Sequence, residues 1–149
     1  EEAKTNGFVL TMCGARRHLT DLLNSPDRFI ASKADRQAVN FKIQGSSAEM
    51  TKKAEGRMWE QGLFDKLDAE YIGPVHDECV SSVAIEDLQV FLELGHACMV
   101  QPYATMQVPI LSSISFGPNF GTQIEIGELP TLEAMQAGLA EMSKLLTKE

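Results

Sequence analysis

Apolar and polar positions along this chain change period several times, and each change marks an element. Phe8-Val9-Leu10-Thr11-Met12 is apolar and β-prone, and Gly14 interrupts it ahead of Arg16-Arg17. That pattern predicts a strand, a tight turn and a short second strand. Asn24-Ser25-Pro26 supplies a helix start, with Ser25 as N-cap and Pro26 at the first helical position. The helix should run to about Phe41, with Ile30, Ala34, Ala38 and Phe41 as its apolar face. The stretch 43–47 should break it and cap a second helix over about 48–61, with Met50, Ala54, Met58 and Trp59 apolar and Gly62 at its end.

The remainder reads as a strand over 69–75, a polar triplet His76-Asp77-Glu78 and an apolar stretch over 79–83, together a β-hairpin with a charged tip. A helix should follow over 85–100, with Leu88, Phe91, Leu92 and Leu94 apolar. A closing strand is expected over 108–114 and a turn over 117–121. Pro130-Thr131 then opens an amphipathic terminal helix on Leu132, Met135, Leu139, Met142 and Leu146. The expected class is α+β, antiparallel strands packed against helices, in one compact domain.

Composition narrows the functions available. A chain of 149 residues that is 44% hydrophobic is long enough for one core. It has no apolar run of the roughly 18 residues a membrane span needs, and its first residues are no signal peptide, so a cytoplasmic location is expected. Its three cysteines, Cys13, Cys79 and Cys98, suit free thiols in a reducing compartment. The missing initial methionine suggests a fragment. A net charge of −8 argues at first against nucleic acid. The charge is uneven, however: residues 1–68 hold 11 of the 13 Lys and Arg against 10 acids, and residues 69–149 hold two against 11. A contact surface in the first half and functional carboxylates in the second would explain the asymmetry.

Two constellations carry chemistry. Arg28, Ser32, Arg36, Asn40 and Gln44 recur every four residues and read as one polar helix face. A solvated face is usually Glu and Lys, whereas Arg, Asn and Gln are side chains that contact bases and sugars. In the triplet, Asp77 and Glu78 would repel each other unless a divalent cation lies nearby, although a plain polar turn also uses Asp. A competing assignment takes His76-x-x-Cys79 and His96-x-Cys98 as zinc ligands of a binding module. It is weakened because positions two apart on a helix face different ways.

Arg36 to Met50, with Arg36, Asn40 and Gln44 ahead of Gly45, resembles a segment of family A DNA polymerases, and Val75-His76-Asp77-Glu78 resembles that family's motif C. Gly14-Ala15-Arg16-Arg17 is similar to its Gly-Arg-Arg turn, and Gly117-Pro118-Asn119-Phe120 to its closing motif. These matches, in the family's order, span roughly residues 7–121. The wording of residues 44–49 is similar to bacteriophage members. Ala15 and Phe120 depart from the usual Arg and Trp, and neither removes a reacting group.

The resemblance implies a palm-type antiparallel sheet with a motif C hairpin and part of the fingers over residues 1–127, followed by a terminal helix over 128–149. It implies a DNA-directed DNA polymerase in replication that uses Mg²⁺ in a two-metal site. Asp77 is then a catalytic metal ligand, Glu78 its assistant at the metal, and His76 the residue near the primer terminus. Arg36, Asn40 and Gln44, with Arg16, Arg17 and Arg28, are DNA contacts. The implied partners are primer-template DNA, deoxynucleoside triphosphates and an upstream polymerase segment, in cis or as a separate chain, because no match to the family's other essential Asp occurs here. An exposed sheet edge would favour self-association. A non-catalytic DNA-binding scaffold with the same fold is the remaining alternative.

Overall fold

The computed structural model describes residues 2–103, 106–128 and 130–147. They form two compact units, Glu1–Lys52 and Lys53–Glu149, and one helix has residues in both.

The first unit contains α1 (Glu2–Asn6), β1 (Phe8–Leu10), β2 (Arg16–His18), α2 (Thr20–Leu23), α3 (Arg28–Asn40), a π-helical turn (Phe41–Gly45) and the start of α4 (Ser46–Gln61). β1 and β2 pair antiparallel with Val9 opposite Arg17. Ala3, Val9, Leu19 and Ala38 form the core, with Leu22, Leu23 and Phe41 packed against it. Three expectations change here. The N-cap of α3 is Asp27, whose carboxylate accepts from the Phe29 N–H at 2.8 Å, while the Ser25 hydroxyl accepts from the Asp27 N–H at 3.3 Å. The short Asp side chain therefore takes the capping role, and Ser25 closes the turn before it. Ile30 is exposed, and the buried face rests on small residues, Ala34 and Ala38.

The third change is larger. The stretch 43–47 does not break the helix, because the chain passes from α3 into α4 through the π turn. No proline interrupts this stretch. A wider i→i+5 turn takes up an extra residue without opening the ladder. Gly45 is required there because a Cβ would lie 2.9 Å from Cγ2 of Thr11, in the loop between β1 and β2.

The second unit holds the rest of α4, then α5 (Leu63–Lys66), β3 (Ala69–Val75), β4 (Glu78–Val83), α6 (Ile85–Val100), β5 (Ile114–Asn119), β6 (Thr122–Ile126) and α7 (Leu132–Leu146). Met58, Leu63, Phe91 and Cys98 make one core cluster. Leu88, Leu92, Ile114, Phe116, Ile126, Met135 and Met142 make another. α7 therefore packs its apolar stripe on β5, β6 and α6, and Thr131 caps it by accepting from the Ala134 N–H at 3.1 Å. Arg57 donates to the Cys98 and Gln101 carbonyls at 3.2 and 3.0 Å, satisfying groups at the end of α6.

The strand expected over 108–114 is absent: 106–113 is irregular, and β5 begins at Ile114. Val108 and Leu111 are exposed, and Pro109 has no N–H for a ladder. Nor is 117–121 simply a turn, since Gly117-Pro118-Asn119 lies inside β5. The β5–β6 register shifts between Phe116 and Asn119, and a Cβ at Gly117 would collide with the Thr122 carbonyl oxygen. This glycine marks a bulge where two backbones approach closely. The class is α+β with antiparallel pairing throughout, and the described strands form three two-stranded sheets.

Candidate functional site

The second unit presents the charged triplet on the β3–β4 hairpin. Tyr71 pairs with Ser81 and Val75 with Glu78, so only His76 and Asp77 lie in the loop. His76 has φ +58, the only described residue besides glycine with positive φ. A two-residue hairpin loop with positive φ at its first position matches a II′ turn, where glycine is preferred. Histidine in this conformation costs on the order of 1 kcal/mol.

His76, Asp77 and Glu78 are all exposed. Among the described residues, Asp77 and Glu78 have no ion-pair partner. The groups there suit a hard divalent cation better than a soft one: two exposed carboxylates adjacent in the chain, with a single imidazole and no thiolate at the tip. No group of three or more His, Cys, Asp or Glu converges on a metal position among the described residues. The tip by itself therefore offers at most part of an oxygen shell for such an ion. Three of the four residues weighed as zinc ligands are engaged elsewhere, and only His76 is exposed at the tip. Cys98 is fully buried, the Cys79 thiol lies 3.8 Å from the Met58 sulfur, and His96 Nε2 lies 3.1 Å from the Ser112 carbonyl oxygen.

The base of the same hairpin carries a cluster that the sequence did not reveal. The Tyr71 ring lies 5.6 Å from Phe64 and 6.3 Å from Trp59. Burial, followed by hydrogen bonding to the Glu55 carboxylate, pushes the Tyr71 phenol up to about 12. Burial also raises the Cys79 thiol, with Glu55 again contributing. Glu55 sits on α4, sixteen positions before Tyr71, and no local spacing joins them.

The first unit carries the helix stripe. A residue spacing of four drifts by about 40° per step on an α-helix, so Arg28 stands about a third of a turn from Asn40. The expected single face is therefore corrected: Arg28 leaves it. The π turn rotates less per residue and carries Gln44 back toward the line of Arg36. Arg17, Gln37, Asn40, Phe41, Gln44 and Gly45 line an open concavity of about 420 Å³. Arg17 donates to Gln37 at 3.1 Å, and its guanidinium lies 5.6 Å from the Phe41 ring centre. Arg36 is exposed outside this lining. Arg16 projects from the other strand face and stacks 4.2 Å from the Phe8 ring centre.

Ser46 and Glu49 were not anticipated as site residues. Ser46-x-x-Glu49 has the spacing of a capping box. Because the helix is continuous at this point, no N-terminal amides need capping. Ser46 Oγ instead accepts from the Met12 N–H at 2.9 Å and donates to the Lys42 carbonyl, and Glu49 Oε2 accepts from the Cys13 N–H at 3.3 Å. The capping signature was the available signal, and its partner lies 34 residues away.

Comparison with known proteins gives a match to DNA polymerase family A over residues 1–122. DNA polymerase I of Geobacillus stearothermophilus is 32% identical over 120 residues, which cover 80% of this chain and 14% of that protein. DNA polymerase I of Mycobacterium leprae (strain TN) is 33% identical over 121 residues, 81% of this chain and 13% of its own. The chain thus spans about one-seventh of the length of these relatives. A similar solved structure is the POL domain of Pol1 from M. smegmatis in complex with DNA primer-template and dNTP. It has a TM-score of 0.62 and 28% identity and covers 73% of this chain and 19% of its own.

Proposed function

The chain belongs to DNA polymerase family A, and on that premise we propose that it is the part of a DNA-directed DNA polymerase that carries motif C and the minor-groove contacts. The observation that carries this reading is the hairpin tip, where a two-residue loop with His76 at positive φ holds Asp77, and Glu78 next to it opens β4, all three exposed to solvent.

Asp77 is the metal ligand, with Glu78 assisting, and His76 stands beside the primer terminus. Bound Mg²⁺ ions supply activation of the primer hydroxyl and neutralisation of the leaving pyrophosphate. The residues of this chain hold and orient. A two-residue loop holds the backbone of Asp77 and Glu78 close to the strands behind it, which suits an in-line transfer whose rate depends on geometry. Arg17, Arg36, Asn40 and Gln44 contact primer-template DNA. Minor-groove acceptors are shared by A·T and T·A pairs, so such contacts test pair geometry without reading sequence. The similar mycobacterial domain holds primer-template DNA and dNTP, which supports the same partners here.

Two adjacent carboxylates cannot encircle two ions, so an upstream polymerase segment, in cis or as a separate chain, supplies the second Asp. We assign residues 1–127 to the polymerase portion and 128–149 to a terminal segment that carries α7 (Leu132–Leu146), whose apolar stripe packs on β5, β6 and α6. The test is primer extension by the 149-residue chain with magnesium and nucleotides, alone and with an added upstream family A segment. Extension is expected only in the second reaction and should vanish with Asp77→Asn. Extension by the chain alone would overturn the shared-site reading. Stoichiometric zinc with no extension in either reaction would overturn the polymerase reading.

A further inference from the structure

Within the first unit, the five residues between β1 and β2 are tied to the helix behind them at several points. Thr11 closes the loop on itself: its N–H donates to the Ala15 carbonyl at 2.9 Å, and its hydroxyl accepts from the Ala15 N–H at 2.9 Å. The outward amides of Met12 and Cys13 are taken by Ser46 and Glu49. Thr11 and Ser46 are both buried, and glycine at 45 lets the loop approach the π turn. β2 begins at Arg16, immediately after this loop, and Arg17 reaches Gln37 and the concavity bounded by Asn40 and Gln44.

A hairpin of two three-residue strands has little stability of its own. Its placement therefore depends on contacts with its neighbours. We propose that Ser46 and Glu49 are positioning residues for nucleic-acid contact: by holding the Met12 and Cys13 amides they set Arg17 in register with Asn40 and Gln44. This rests on the primer-template reading above. The π turn belongs to the same device. It brings Gln44 back toward the line of Arg36 and leaves Ser46 and Glu49 facing the loop, so one irregular helical turn serves both the stripe and the clamp.

The role separates from a merely structural one by energetic coupling to Arg17. Primer-template affinity of the full chain is measured by fluorescence anisotropy over a salt series for Arg17→Ala, for Ser46→Ala with Glu49→Ala, and for the triple variant. Arg17→Ala should weaken binding about tenfold and lower the salt slope by about one. In the Ser46→Ala, Glu49→Ala background the same change should cost less than about twofold, because Arg17 is already displaced. Glu49→Gln keeps an acceptor oxygen and should restore the coupling. Hydrogen exchange of the Met12 and Cys13 amides in the unaltered chain gives a second reading that needs no variant to fold, and both should be protected.

Additive effects of Arg17 and the pair, or unprotected amides, would overturn the positioning role while leaving the primer-template reading in place. No effect of Arg17→Ala would overturn the positioning role as well, and no binding by the unaltered chain would remove both readings.

Discussion

The two units of this chain differ most in charge. Residues 1–52 hold eight Lys and Arg against six Asp and Glu, a formal net charge of +2. Residues 53–149 hold five against fifteen, a net of −10. The overall −8 hides this division. On the proposed function, a polyanion would meet the unit whose basic side chains are presented on a strand and a helix face, and a divalent cation would be drawn to the unit with surplus carboxylate. Even the cations of the acidic unit have structural uses: Arg57 satisfies the end of α6, and Lys53 stands 4.7 Å from the Tyr103 ring centre. Net charge of a whole chain is thus a poor guide to nucleic-acid binding when its parts have different tasks.

The largest expected effect tests this division at its acidic end. In the assembled polymerase, Asp77→Asn should lower turnover by about a thousandfold or more and leave primer-template affinity nearly unchanged, because the lost charge acts on the transition state. Glu78→Gln should do less. Single-turnover kinetics beside equilibrium binding would read both quantities. Loss of affinity with intact turnover would break the comparison by placing DNA contact in the acidic unit.

A smaller effect is expected at the other end. Arg36→Ala should weaken primer-template binding roughly fivefold to tenfold and lower the salt slope, with little change in melting temperature because the side chain is exposed. Unchanged affinity would make the helix face a solvated surface. A large drop in melting temperature would make it a structural network.

The smallest effect concerns the hairpin base. Tyr71, held up to about 12 by burial and Glu55, should give a late component in an alkaline absorbance titration, and that component should disappear in Tyr71→Phe. Its folded value lies above the ordinary 10. The stabilisation is therefore fully present below pH 10 and is lost as pH rises through about 12. Glu55→Gln should bring the transition down. Titration of Tyr71 at its ordinary value would mean that the acidic unit leaves its own hairpin unperturbed.

Periodicity located the long elements because each has a sustained apolar stripe: β3, β4, α6 and α7 lie where the pattern placed them. The short helices α1, α2 and α5, of five, four and four residues, escaped because one turn contains too few positions to show a period. The closing strand was misplaced because Val108 and Leu111 are apolar but exposed, while Gly117-Pro118, which reads as a turn, lies inside a bulged strand. Apolar character predicts burial only on average, and glycine marks a tight backbone approach as readily as a turn.

The candidate site divides in the same way. Asp77, Glu78 and the Arg36-Asn40-Gln44 spacing were legible in the sequence because each depends on residues close along the chain, in one turn of hairpin or one helix. The positive φ of His76 follows from the register Val75 opposite Glu78, and that register is set by strand pairing. The π turn, the hold of Ser46 and Glu49 on the loop at 12–13, and the pairing of Glu55 with Tyr71 were decided only in three dimensions. A capping residue takes whichever unsatisfied amide the fold brings to it, and a half-buried phenol responds to whichever carboxylate lies nearest. Local sequence determined which groups were available, and packing over tens of residues determined which of them met.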